Sequence, residues 1–204
     1  MTAFTHLRTA SGFSARYGAT HPGRLAERAA ERGLDALALT DRDSLAGTVR
    51  FARAAAEAGV RPLFGVDLAV REPLPPPGPT ARHRAPARGG AFVDEFAPRA
   101  VFLARDGAAG WAALCGLVSA AHADRPPSGR PELTRDDLAG AAAGLRAPLT
   151  VLLGPDSEVG RALAAGRPDR AARLLTPWRE MFGDSLRLET VWHGRTGTGP
   201  GSLR

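Results

Sequence analysis

Four residue types are missing from this 204-residue chain: it has no Lys, Asn, Ile or Gln. Those four use A/T-rich codons, whereas the abundant Ala, Gly, Pro and Arg use G/C-rich ones. The composition therefore records a GC-rich genome at least as much as a partner. All 27 basic residues are Arg, and the formal net charge is +6. Such a charge invites a nucleic-acid reading, but the arginines are scattered and sit beside acids, as in Glu27-Arg28 and Glu31-Arg32. That is the pattern of a solvated surface. The single Cys115 excludes an internal disulfide and points to a reduced, cytoplasmic setting. No run approaches the roughly 18–20 apolar residues of a membrane span. Residues 1–6 lack the basic start and apolar run of a signal peptide.

Several catalytic patterns are absent too. No Gly-x-Ser-x-Gly surrounds Ser11, Ser14, Ser44 or Ser119, so there is no nucleophile elbow. Gly197-x-Gly199-x-Gly201 lacks the lysine of a phosphate loop and reads as a turn. His83, His122 and His193 are isolated, and Trp111, Trp178 and Trp192 read as packing residues.

What remains is a chain long enough for one sizeable domain. Hydrophobic residues make up 44% and charged residues 24%, the range of a soluble globular protein. Phe4 to Leu7 reads as a short strand, and residues 8–20 as a loop. Pro22 suits a helix start, and Gly33 a helix end. Ala36 to Thr40 is a buried strand. Asp43 or Ser44 caps a second helix that runs to Ala58 and stops at Gly59, and Val60 to Val70 holds the next strand. Residues 73–90 are rich in Pro, Gly and Arg and contain no acid, which predicts a disordered basic insertion. Ala100–Ala104, Leu149–Leu153 and Leu186–Val191 are further strands. Gly107–Ala121, a short helix opened by Thr134 with Asp136 and Asp137, and residues 157–165 and 168–182 are helical. About six strands alternating with helices predict an α/β fold with parallel pairing.

Active-site residues of such folds gather at the carboxyl ends of strands. The strand ends here offer His6, then Asp41, then Asp67. One His and two carboxylates are able in principle to hold a divalent metal. Each also has a plain reading, as a structural histidine or a helix cap.

The same blocks carry a resemblance. His6-Leu7-x-x-x-Ser11, Tyr17-Gly18-Ala19 and Leu37-Ala38-Leu39-Thr40-Asp41 resemble the opening of the PHP (polymerase and histidinol phosphatase) domain at the N-terminus of bacterial DNA polymerase III alpha subunits. Phe51 through Gly59 with Val60-Arg61-Pro62-Leu63-Phe64-Gly65-Val66-Asp67 continues it. So do Val101-Phe102-Leu103-Ala104-Arg105-Asp106, Leu114-Cys115, Leu186 to Glu189, and Gly199-Pro200-Gly201-Ser202. The match is nearest the actinobacterial and error-prone branch. It implies a distorted (β/α)7-like barrel, with 1–204 a partial PHP domain, truncated and incomplete at its C-terminus.

The resemblance also implies a ligand set that this chain departs from. The family's His-x-His becomes His6 and Arg8, a nearby histidine becomes Ala10, and an acidic ligand falls at Tyr17. Thr-Asp-His becomes Thr40-Asp41-Arg42, and Gly-x-Glu becomes Gly65-Val66-Asp67. A further histidine falls at Arg99 and a cysteine near Val151, and the chain ends before the final Asp-x-His pair. A guanidinium has no lone pair for a metal and keeps its charge. The expectation is a vestigial site at His6, Arg8, Tyr17, Asp41, Arg42 and Asp67, with Arg8 and Arg42 paired to Asp41 and Asp67. No catalytic residue and no cofactor are then expected. The implied role is a structural and interaction module of a polymerase in DNA replication or error-prone repair synthesis. Its partners would be the rest of the alpha subunit, DNA through that parent, and other replisome or repair subunits. The alternative is an active phosphoesterase or 3′–5′ exonuclease using Mn, Zn or Mg.

Overall fold

The computed structural model describes residues 4–71, 97–123 and 131–191. The expected insertion at 73–90 and most of the loop expected at 125–131 lie outside the described residues. Helices α1 (Pro22–Glu31) and α2 (Thr48–Glu57) flank strand β1 (Ala36–Arg42), and β2 (Arg61–Arg71) and β3 (Arg99–Ala104) follow. Next come α3 (Gly107–Ala123), β4 (Leu133–Thr134), α4 (Arg135–Leu145) and β5 (Leu149–Leu153). The chain continues through α5 (Glu158–Ala164) and α6 (Pro168–Phe182) to β6 (Leu186–Leu188).

The sheet runs in the order β1-β2-β3-β5-β6, with β4 paired to β2. It is mixed, which corrects the expectation of parallel pairing throughout. β1–β2 and β5–β6 are parallel, but β3 is antiparallel to both of its neighbours. An apolar run buried on both faces has the same pattern in either direction, so periodicity alone does not reveal this. The reversal brings the first residue of β3, Arg99, to the rim where β1 and β5 end.

Two local expectations also change. Residues 4–7 do not form a strand; His6 makes one parallel bridge to Leu37. The segment is laid along the outer edge of β1 by Ala38 N–H donating to the His6 carbonyl and Thr40 N–H donating to that of Thr9, each at 2.9 Å. Phe4 and Leu7 stay exposed, so no buried face drives regular pairing. The second helix starts later than predicted, at Thr48, with no side-chain cap. Asp43 takes a left-handed φ of 56° instead and turns its carboxylate to Arg99. The cap predicted at Thr134 is present as a reciprocal box with Asp137.

Burial follows the two-residue strand period. Leu37 and Leu39 pack against Ala26, Phe51 and Ala55 of the first two helices. Val66, Leu68, Phe102, Val151 and Leu153 pack with Leu114, Leu138, Trp178 and Phe182 of the later ones. The alternate positions, Ala38, Val101, Leu103 and Leu152, form a small separate cluster on the other face. Helices therefore cover one side of the sheet. Among the described residues no helix is long and apolar enough to cross a membrane.

Candidate functional site: a charged cluster at the strand ends

The face that carries Ala38 and Val101 also carries Thr40, Arg42, Asp67 and Arg99, because these positions are two residues apart along their strands. Arg42 stands opposite Asp67 in the β1–β2 register. Asp67 is not a strand-end residue as the sequence implied: β2 runs on to Arg71 and pairs with β4. Its carboxylate is buried and doubly engaged. Arg99 Nε donates to Oδ1 at 2.7 Å, and Arg8 Nη2 donates to Oδ2 at 3.2 Å. Arg99 Nη2 also donates to Asp43 Oδ1 at 2.8 Å and to the Asp67 carbonyl at 2.6 Å.

Arg8 is the centre of the arrangement. Its guanidinium donates to Asp156 Oδ2 at 2.6 Å and to Glu189 Oε2 at 3.5 Å, in addition to Asp67. Arg42 sits beside it, with Nε 3.7 Å from Asp67 and Nη2 3.7 Å from Asp156. Those are ion-pair separations, longer than hydrogen bonds. The Arg42 guanidinium lies 3.3 Å over the ring of Tyr17, a cation–π contact. Burial works against the charge of Arg8, but Asp67, Asp156 and Glu189 outweigh it and raise its pKa. Arg99 is raised in the same way, by Asp67 and Asp43 against burial. Arg42 is lowered, first by burial and then by repulsion from Arg99. Glu189 is raised, by burial above all and by the neighbouring Asp67 and Asp156, despite Arg8.

Asp41 faces the other way. Its Oδ1 accepts from Ser11 N–H at 2.7 Å and Ser14 Oγ at 2.6 Å, and its Oδ2 from Ser11 Oγ at 2.8 Å. The expected pairing of Arg8 and Arg42 with both Asp41 and Asp67 is thus half corrected: both arginines meet Asp67, and their carboxylate partners do not include Asp41. The reason is strand alternation, which sends residues 40 and 42 to one face and 41 to the other. His6 is exposed and stacks edge-on against Phe4, with ring centroids 4.8 Å apart. Val151 is buried in the apolar core. His122, isolated in the sequence, lies with Nε2 2.8 Å from the Asp43 carbonyl oxygen.

A cleft of about 430 Å³ opens over the cluster, lined by Phe4, His6, Tyr17, Arg8, Asp156 and Glu189 among others. Asp156 and Glu189 are the members of the cluster that sequence reading missed. Asp156 follows β5 and Glu189 follows β6, so the strand-end rule that flagged Asp41 would have found both. Gly154 completes the packing: a Cβ there would meet the Glu189 carboxylate and Arg8 Nη1. Among the described residues, no three His, Cys, Asp or Glu side chains are grouped so as to hold a metal ion. The carboxylates that do converge enclose a guanidinium.

A mixed α/β domain with charged side chains gathered at one rim of its sheet is a strand-end-site fold. The PHP domain model matches residues 6–191, and the chain belongs to the PHP domain family. It is 38% identical over 193 residues to an error-prone DNA polymerase of Mycolicibacterium paratuberculosis, covering 94% of this chain and 16% of that protein. It is 35% identical over 182 residues to a DNA polymerase III subunit alpha of Xylella fastidiosa, covering 86% of this chain and 13% of that one. These relatives are much longer proteins, and this chain spans about one-sixth of the first. A solved Bifidobacterium adolescentis chain, described as a candidate metal-dependent phosphoesterase, overlays 97% of this chain and 90% of its own. Its identity is 14% and its TM-score 0.49, too loose a likeness to transfer anything.

Proposed function

We propose that this chain is the PHP module of a DNA-polymerase-type protein and that it serves as a structural and interaction domain without hydrolytic activity of its own. One observation carries the reading: the guanidinium of Arg8 lies where Asp67, Asp156 and Glu189 converge. A guanidinium donates five N–H bonds and accepts none, so Arg8, Arg42 and Arg99 neutralise these carboxylates and repel a divalent cation. Hydrolysis by a metal pair needs free ligands on both ions and an activated water. Here Asp67 is taken by two arginines, and Asp41 by two serines. The residues present do not fit a catalytic metal centre.

Similarity to the N-terminal part of long polymerases supports the rest of such a subunit as the partner, with DNA reached through it and other replisome or repair subunits as further contacts. The competing reading is a metal-dependent phosphoesterase or 3′–5′ exonuclease. Metal analysis of the purified chain, with a phosphoesterase assay in manganese and zinc, separates the two. The expected result is no stoichiometric metal and no turnover. Bound metal with turnover that His6→Ala abolishes would refute the proposal.

A further inference from the structure

The two ends of the sheet path are β1 and β6. Segment 4–9 lies along the outer edge of β1 through a few backbone bonds, and Glu189 follows β6 at the opposite edge. Arg8 spans the gap between them. Its bonds reach 59 residues along the chain to Asp67, 148 to Asp156 and 181 to Glu189. They join the first segment to the middle of β2, to the β5–α5 loop and to the end of β6. Arg8 itself lines the cleft that opens over the charged cluster, together with residues from both edges.

The three carboxylates are not equally provided for. Asp67 has Arg99 as a second, buried partner at 2.7 Å. Asp156 has Arg42 only at 3.7 Å, and Glu189 pairs with Arg8. The Arg8 side chain is 21% exposed and that of Glu189 16%, whereas that of Asp156 is 45% exposed, so solvent screens the Asp156 pair more than the Glu189 pair.

We infer that Arg8 is a built-in cation that clasps the two edges of the sheet together at the wall of the cleft, holding Asp156 and Glu189 by charge. This rests on the reading of the site as ion-paired, and it goes further by making that pairing the closure of the fold. Removing the guanidinium leaves at least two carboxylates facing each other with little compensation. The cost of breaking such a pair is largely the cost of the charges left behind. Removing those charges as well relieves it.

The test is a thermodynamic cycle on the full chain. Arg8→Met keeps most of the side-chain bulk without the charge and is expected to lower Tm by about 4–8 °C. Adding Asp156→Asn and Glu189→Gln to Arg8→Met should recover most of that loss, while the same two changes beside the native Arg8 should not stabilise by as much. Methylguanidinium at about 20 mM, against matched sodium chloride, should raise the Tm of Arg8→Met more than that of the wild type. A packing role would produce the first loss but neither the recovery nor the cation response. An unchanged Tm in Arg8→Met, an unrelieved loss in the triple variant, or equal responses to methylguanidinium would each overturn the clasp. Should Arg8→Met not fold, a cooperatively folding triple variant supports the inference and an unfolded one refutes it. Stoichiometric metal in the wild type would instead overturn the proposed function, and the cycle is read independently of it.

Discussion

Replacing Asp41 by Ala isolates what this carboxylate does. Asp41 is 2% exposed. It accepts three hydrogen bonds, from Ser11 N–H, Ser11 Oγ and Ser14 Oγ, at 2.6–2.8 Å. The two hydroxyls accept in turn, from Phe13 N–H at 3.2 Å and Arg42 N–H at 2.9 Å. One carboxylate therefore organises the turn at 11–14 and ties it to the end of β1. Alanine leaves three buried donors without that acceptor, at about 1–3 kcal/mol each when nothing replaces it. The hydroxyls are able to rotate, so the losses do not add in full. The expected destabilisation is about 3–5 kcal/mol, a fall of roughly 6–20 °C in Tm for a chain of this size. Asp41→Asn keeps the shape and one acceptor oxygen, and should cost about 1.5–3 kcal/mol. Urea denaturation followed by far-UV circular dichroism measures both, with an unchanged slope as the check on two-state behaviour. A loss below about 1 kcal/mol for Asp41→Ala would show that the serine network does not depend on this acceptor. Loss of a bound metal from that variant would show Asp41 to be a ligand after all.

Two further outcomes test the fold and the cluster. Gly65 lies where β2 and β3 approach, and an added Cβ would stand 2.6 Å from the Phe102 carbonyl oxygen and 2.7 Å from Leu103 Cδ2. Gly65→Ala should therefore cost about 1–3 kcal/mol in urea denaturation, and a neutral result would contradict this close approach. Glu189 has a raised pKa, chiefly from burial, so the folded state holds its proton more tightly than the unfolded chain does. Its contribution is then fully present below the ordinary Glu pKa of about 4.3 and is lost as pH rises through the higher folded value. Glu189→Gln should gain stability relative to the wild type over that window, and a Tm difference that is flat with pH would refute this.

Much of the element order was legible because its signals are local. Gly33 and Gly59 end helices with φ near 70°, and Ala36–Thr40 is a buried strand, as the apolar pattern implied. Thr134 forms its cap because both partners lie within one turn. The direction of β3 and the absence of a strand at residues 4–7 were not legible, since neither leaves a periodic signature. The site divided along the same line. Asp67 was picked out by the strand-end rule, and Arg42 by the position where the resemblance places a histidine. Asp156 and Glu189 also follow strands and were passed over; what no local signal reveals is their contact with Arg8 across 148 and 181 residues.

Sequence by itself determined that arginine, incapable of ligation, stands at the positions where the resemblance places histidine, and that follows from side-chain chemistry alone. Which carboxylate each arginine meets was decided only by the tertiary structure. Strand alternation turns Asp41 away to Ser11 and Ser14, and the antiparallel β3 carries Arg99 to Asp67. The curl of the sheet brings Glu189 within reach of Arg8. Ion pairing depends on distances of a few ångströms, and those are set by how the strands are arranged in space.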